Sequence, residues 1–265
     1  MSDTPKLELH VAGVGLWLPG VPDVAAWQGG ARGNASRDEP FPKATGASIE
    51  RRARRRASAL CRALADAYST AATQARIDVS TTSSVFGSAL GEVTTMLGLL
   101  DEMSRHEPLS PMSFATSVHS AAAGTMSISA ANRGFTTAIS AFHDTAGAAF
   151  FEAIGLLHAL RQPVIIACGD ENSPDRFVGE EHAFDMLAAV VALVPPDHDG
   201  PRLARLRGPH LGAADVPAAD LPPRLGRNPQ AGLLDLVAAI LAGQTGTVAL
   251  DRGRGTGWCV TVSEA

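Results

Sequence analysis

The sequence predicts an α/β layered fold, and three observations carry that expectation. Strand-like and helix-like stretches alternate along most of the chain, as they do in layered α/β domains. Some strand-like runs are continuously apolar, PVIIAC at 163–168 being the clearest, which marks strands covered on both faces. Hydrophobic residues make up 45% of the 265-residue chain and charged residues 18%, enough for one large core. We therefore read residues 1–265 as a single domain.

Leu7 to Leu16 (LELHVAGVGL) reads as the first strand, ending in Gly13-x-Gly15 and stopped by Pro19-Gly20. Gly29 to Gly46 is rich in Gly, Pro and charge and reads as a loop. A long helix is expected from Ser48 to Ala75, with Ala53, Ala57, Leu60, Leu64, Ala67 and Ala71 at three-and-four spacing. Ser83 to Leu90 is a short buried strand. Glu92 opens a helix that places Val93, Met96, Leu97, Leu100 and Met103 on one face. Phe114 to Arg133, nearly free of charge and full of Ala, Ser and Gly, suits a buried helix packed closely on other backbone.

Phe135 to Ser140 is β-branched and aromatic, hence a strand, and Thr145 to Leu160 a helix. After the strand at 163–168, Ala188 to Val194 forms another, stopped by Pro195-Pro196. Pro and Gly punctuate Asp197 to Pro229, which reads as irregular. A helix over Ala231–Ala242 and strands at Thr247–Leu250 and Trp258–Val262 complete the chain.

Composition narrows the function. The formal net charge is −5, which argues against nucleic acid as the main partner. No apolar run is long enough to cross a bilayer, and the N-terminus lacks a signal pattern, so a soluble cytoplasmic protein is expected. Cys61, Cys168 and Cys259 lie far apart and match no metal spacing, so they read as free thiols. Gly13-x-Gly15 is no dinucleotide fingerprint, because Leu18 stands in place of the third glycine.

The most informative stretch is the strand, turn and helix over Thr136–Glu152 (TTAISAFHDTAGAAFFE). Together with LHVAGVGLWLPG at 9–20, Trp27, Gly30, LSPMSF at 109–114, Ser117 to Ser120, Gly124, Ser127, Ile128 and Gly147, it resembles the β-ketoacyl synthases over residues 7–195. The resemblance implies a thiolase-like layered fold, half-length, with a mixed sheet packed by helices. Thr137-Ala138 matches the pair that precedes the catalytic cysteine in that family, which puts Ile139 in the nucleophile's place. A thioester-forming nucleophile must be a thiolate or an activated hydroxyl, and isoleucine is neither. The half of the family's chain that carries two supporting histidines has no counterpart here.

What the resemblance implies is a silent partner, similar to the short chain-length factors of aryl polyene, type II polyketide and fatty-acid-type systems. Such a subunit would pair with a full-length β-ketoacyl synthase and bound the tunnel in which the product grows. A homodimer is the alternative assembly in that partner's absence. Phe114, His119, Met126, Thr136, Thr137, Ile139 and Phe142 are the interface and tunnel candidates. No cofactor is expected, since substrate would arrive on the phosphopantetheine of an acyl carrier protein. The alternative is a stand-alone acyl-thioester transferase or hydrolase using Ser140 or a free cysteine.

Other motifs have plainer readings beside sharper ones. Ser140, His143 and Asp144 suggest a triad, but working triads draw their members from separate loops, and a helix start with Asp144 as N-cap accounts for them. His119 reads as a buried structural histidine or one at the dimer contact. Asp170, Glu171, Asp175, Glu180, Glu181 and His182 read as a solvated loop rather than a metal site, since no ligand spacing is visible. Arg51, Arg52, Arg54, Arg55 and Arg56 form the strongest basic run. It is either a solvated helix end or a dock for an acidic carrier protein, with Arg51, Arg52 and Arg55 foremost.

Overall fold

A computed structural model describes residues 8–33, 41–174, 176 and 178–265. Leu7, part of the expected loop at 29–46, and Asp175 of the acidic run lie outside the described residues. The elements in chain order are β1 (Glu8–Trp17), α1 (Val24–Gln28), α2 (Arg51–Arg54), α3 (Ala59–Ala75), β2 (Ser83–Gly87), α4 (Val93–Ser104), α5 (Pro111–Thr116), α6 (Ala121–Ser129) and β3 (Thr136–Ile139). They continue with a 3-10 turn (Phe142–Asp144), α7 (Thr145–Leu160), β4 (Val164–Asp170), β5 (Leu187–Val194) and β6 (Ala204–Leu211). Last come α8 (Pro223–Arg227), α9 (Ala231–Leu241), β7 (Gly246–Ala249) and β8 (Trp258–Ser263).

The eight strands form one mixed sheet in the order β3-β2-β4-β5-β1-β6-β8-β7, with β2 parallel to β3 and β4 and the other pairs antiparallel. Alternation along β4 sends Val164, Ile166 and Cys168 to one face, where α7 and α9 pack. It sends Ile165 and Ala167 to the other, under α3 and α6. The thiolase-like layers expected from the sequence are thus present.

β1 shows how local sequence fixes packing. Its register to β5 slips between Val11 and Gly13, which adds a residue and reverses the alternation. Leu9 and Val11 before the slip, and Val14 and Leu16 after it, therefore share the α7 face. Gly13 and Gly15 meet α3, where an added Cβ would fall 2.1 Å from the Ala71 carbonyl oxygen and 1.9 Å from that of Ala67. The glycine pair serves backbone contact between strand and alanine-rich helix, not a nucleotide.

Three expectations need correction. The helix over 48–75 is two helices, because Glu50 accepts hydrogen bonds from Arg52 N and Ala53 N, and Ser58 accepts from Cys61 N, so each side chain starts its own helix. The stretch 114–133 is not one buried helix: Ser110 starts α5, a bend follows, and of α6 only Ala122, Ala123 and Met126 are buried. The irregular region after Pro196 contains β6. Its alternating Ala204 and Leu206 face the core, while Gly208-Pro209 falls where the register to β8 slips between Arg207 and His210. Prolines and glycines within a strand hid it.

Gly15→Ala should lower stability by about 2–3 kcal/mol through overpacking of α3. Gly98→Ala, in an exposed helical position with open space at its Cβ, should raise it by about 0.5–1 kcal/mol. Chemical denaturation of the two variants checks the pair.

Candidate functional site

β3 stands at one end of the sheet, so among the described residues one of its edges pairs with no other strand, and it leads directly into the turn before α7. Ile139 closes β3 and packs, half-buried, against the α7-side core. The residue in left-handed conformation is Phe142, at φ 50°. The sharp turn therefore lies three residues beyond the position that the sequence resemblance selected. Thr145 holds this turn shut, its Oγ1 accepting from Ala141 N at 2.9 Å and donating to Phe142 O at 2.7 Å. A left-handed phenylalanine is strained and is sustained only by such bonds.

The Ser140, His143 and Asp144 trio is not wired as a relay. The Ser140 hydroxyl donates to the Ala89 carbonyl at 3.1 Å. Asp144 stands at the N-cap position of α7 but makes no side-chain cap bond. Its carboxylate instead accepts from Thr256 N at 2.7 Å and Thr256 Oγ1 at 2.8 Å, tying the β7–β8 loop to the turn. The His143 ring meets Phe142 edge-on, centroids 4.5 Å apart, and burial together with nearby Arg254 holds its pKa below the usual histidine value. Gly147 is explained by Trp258, whose ring would lie about 3 Å from an added Cβ.

A buried carboxylate organises the ground beneath this turn. Asp170, at the end of β4, accepts four hydrogen bonds: from Ser88 Oγ (2.7 Å), Leu90 N (2.8 Å), Ala89 N (3.0 Å) and Gln230 Nε2 (2.8 Å). Burial pushes its pKa up, and the four donors pull it back toward the ionised form. Ala89, fixed in this way, presents its carbonyl to Ser140 and lies 3.4 Å from His119 Nε2. Asp170 and Glu171 are thus buried, correcting the solvated-loop reading for those two residues. Glu180 pairs instead with Arg224 of α8. Among the described residues no three His, Cys, Asp or Glu groups come together to hold a metal.

The other candidates separate by exposure. Phe114 (64% exposed) and Phe142 (53%) reach solvent, and His119 is exposed too, so the buried reading of that histidine is corrected. Thr136 and Thr137 are half-buried on β3. Met126 is buried and, with Thr136, Tyr68 and Phe86, lines a cavity of about 220 Å³ between α3 and α6. Sequence reasoning did not single out as contact candidates Ile128, at 79% the most exposed large apolar group among the described residues, or Phe135 at 48%. It also misplaced the α4 stripe, whose Leu100 and Met103 face outward while Leu99 is buried. Arg51, Arg52 and Arg55 are exposed.

All three cysteines are free and buried. Burial pushes the Cys61 thiol up to about 12 and raises those of Cys168 and Cys259 as well. None is a ready thiolate. A different group is perturbed into the neutral range. Glu92 is pushed up to about 7 by burial, against the pull of a hydrogen bond from Ser58 and with nearby Glu171 adding to the rise. Among the described residues, no helix is long and apolar enough to cross a membrane.

A strand, a pinned sharp turn and a buried helix on a two-sided mixed sheet are the architecture of the thiolase-like acyl-transferring proteins. Within that class the chain belongs to the β-ketoacyl synthase N-terminal domain family, whose model matches residues 25–258. No curated protein matches the sequence. Solved structures share the fold. One is a chain of the complex between a ketosynthase (ApeO) and its chain length factor (ApeC) from Xenorhabdus doucetiae. It has 20% identity and a TM-score of 0.71, covering 98% of this chain and 100% of that one. A chain of AntDE:AntF, a type II PKS acyl-carrier protein in complex with its ketosynthase, has 14% identity and a TM-score of 0.70, over 98% and 99%. A β-ketoacyl synthase from Burkholderia phymatum STM815 has 12% identity and a TM-score of 0.59, over 80% of this chain and 65% of its own.

The Glu92 shift has a stability consequence. The folded-state pKa of about 7 lies above the ordinary glutamate value of 4.5, so the folded chain holds this proton more tightly than the unfolded one. Stability should fall by about 3 kcal/mol as pH rises from roughly 4.5 to 7, then level off. Denaturation curves across that range should show a slope that Glu92→Gln removes.

Proposed function

We propose that this chain is a non-catalytic, chain-length-factor-like subunit that pairs with an active β-ketoacyl synthase and bounds its acyl tunnel. One observation carries the reading. The residue on the sharp turn, where the family's fold presents its nucleophile, is Phe142, and the nearest hydroxyl, on Ser140, is committed to the Ala89 carbonyl. The buried, proton-retaining cysteines weigh equally against a stand-alone transferase or hydrolase.

The surface around the turn supports a partner. β3 leaves a strand edge open, and Ile128, Phe135, Phe114 and Phe142 expose apolar surface on or beside α6, β3 and α5. Unpaired strand edges with flanking apolar groups are templates for association. The opposite edge is protected, since Asp215 N and Val216 N both donate to the Thr247 carbonyl of β7. A complex of a ketosynthase with its chain length factor contains a chain of comparable length and the same fold, which agrees with this assignment. Phe114, Met126, Thr136, Thr137, Ile139 and Phe142 would then supply the tunnel wall and the contact. Acyl groups would arrive on the phosphopantetheine of an acyl carrier protein steered by Arg51, Arg52 and Arg55, with no cofactor held by this chain and the complex working in the cytoplasm.

Co-expression with a full-length, cysteine-bearing β-ketoacyl synthase of the same organism, followed by size-exclusion chromatography with mass determination, should give a one-to-one complex. Ile128→Glu should weaken it at least about tenfold, as expected of a central apolar contact. Leu211→Glu, on β6 five strands away, should leave it intact. Separate elution of the two wild-type proteins would overturn the proposal. Reversing Arg51, Arg52 and Arg55 to Glu should slow carrier-dependent elongation by the complex without dissociating it, and added salt should slow the wild type toward the same rate.

A further inference from the structure

The loop between β7 and β8 lies beside the turn that precedes α7. Gly255 sits against Asp144, where an added Cβ would fall 2.4 Å from the carboxylate Oδ1, and Thr256 bonds to the same carboxylate. The residue before Gly255 is Arg254. It is exposed, and among the described residues its guanidinium makes no hydrogen bond and no ion pair.

Its neighbours are cations. Arg252 holds Asp235 through Nε and Nη2, each at 2.6 Å, and its Nη1 reaches the Gly226 carbonyl at 3.4 Å, which sets this guanidinium against α8. Arg227, the last residue of α8, donates from Nη1 to the carbonyls of Ala183 (2.9 Å) and Glu180 (3.4 Å) rather than to a carboxylate. Partial burial and the charges of Arg252 and Arg227 hold the Arg254 pKa below the usual arginine value. The carboxylates close by are already engaged. Asp235 is held by Arg252, Asp144 by Thr256, and Glu180 and Asp185 by Arg224. Asp251, 2% exposed, accepts from Gly253 N and Gly257 N, both at 2.7 Å. Among the described residues, Arg227 and Arg254 therefore have no carboxylate ion pair. Gathering like charges in this way is unfavourable unless an anion joins them.

We infer that Arg254, with Arg227 and Arg252 close by and His143 near it, binds a phosphate group, free or as a monoester. A phosphate monoester carries about −1.5 to −2 charges at pH 7, which matches the two guanidinium charges left without a carboxylate. A carboxylate supplies only one. The oxygens of a phosphate also accept from the planar fork of an arginine in bidentate fashion. His143 reports on the site, because burial and the Arg254 charge depress its pKa while Asp251 and Asp144 act in the opposite sense. The inference does not rest on the partner-subunit reading, since none of these residues is among the contact candidates named there.

The test is titration of the full chain with inorganic phosphate and with ethyl phosphate, followed through the His143 ring resonances, with acetate as comparator. Saturable binding of both phosphates is expected, with acetate at least about tenfold weaker. The bound anion offsets Arg254, so the His143 pKa should rise at saturation. Arg254→Ala should lower phosphate affinity at least about tenfold and remove the phosphate-dependent shift of His143. Its side chain bonds to nothing in the fold, so the thermal midpoint should stay close to that of wild type. Arg254→Lys keeps the charge without the fork and should bind with intermediate affinity. Arg51→Ala, in the exposed run on α2, should bind as wild type does. Equal affinity for the two phosphates assigns the site to the phosphoryl group alone and tighter ethyl phosphate to an ester, and either supports the inference. Absence of saturation, acetate binding as tightly as phosphate, unchanged affinity in Arg254→Ala, or an equal loss in Arg51→Ala would each overturn it.

Discussion

The carboxylate of Asp170 is the interaction on which the arrangement around the turn depends. It sits fully buried at the end of β4 and gathers donors from two distant parts of the chain, the loop after β2 and the start of α9. Such a group is affordable in a low-dielectric interior only because every donor is supplied. The consequence runs outward. With Ala89 and Leu90 fixed, the Ala89 carbonyl is held where Ser140 can reach it, and the connection between β3 and α7 is anchored from beneath. Gln230 and Asn228, from the segment after Pro196, complete this ground, with Asn228 Nδ2 donating to the Asp185 carbonyl at 2.9 Å. That segment also contributes β6, β8 and β7 to the sheet and, through Thr256, a grip on Asp144. It finishes the structure that presents the turn.

The turn itself combines the form of an acyl-transfer elbow with polar groups engaged in structural bonds. A left-handed residue between strand and helix presents its side chain at the surface, which in an enzyme is the reason to bear the strain. Here the side chain presented is a half-exposed phenylalanine, and the surrounding polar groups are spent on structure: Ser140 on Ala89, Asp144 on Thr256, Thr145 on the turn. What the geometry retains is shape, an open strand edge and apolar surface. These are the properties on which the proposed role as a partner subunit rests.

Much of the scaffold was legible in advance because its signals are local. The run PVIIAC can only be a strand covered on both faces, and TAGAAFFEAIGLLHAL, which begins and ends where α7 does, is apolar over too long a span for a strand. The site was legible only in outline. The order of motifs located the strand, turn and helix, but matching Thr137-Ala138 to the family's pair put Ile139 in the nucleophile's place, because nothing in TTAISAFHD says how many residues follow the strand before the chain reverses. That number is set by Thr145 bonding back to Ala141 and Phe142, a contact across the turn. The acidic run after β4 misled for a related reason: composition cannot distinguish a carboxylate in water from one enclosed by four donors.

The sequence by itself determined the layered α/β architecture and supplied the small residues, glycines in β1 and alanines in α3, that let strand and helix meet. These follow from residue type and spacing along the chain, which periodicity and side-chain chemistry report directly. Tertiary structure alone decided which apolar residues face outward, since Leu99 and Leu100 are adjacent and identical in type yet the first is buried and the second exposed. It likewise decided that β6 is a strand, that Asp170 is a hub and that Glu92 is buried. Each of these depends on groups brought together from distant parts of the chain, and burial and hydrogen bonding belong to those encounters rather than to any residue.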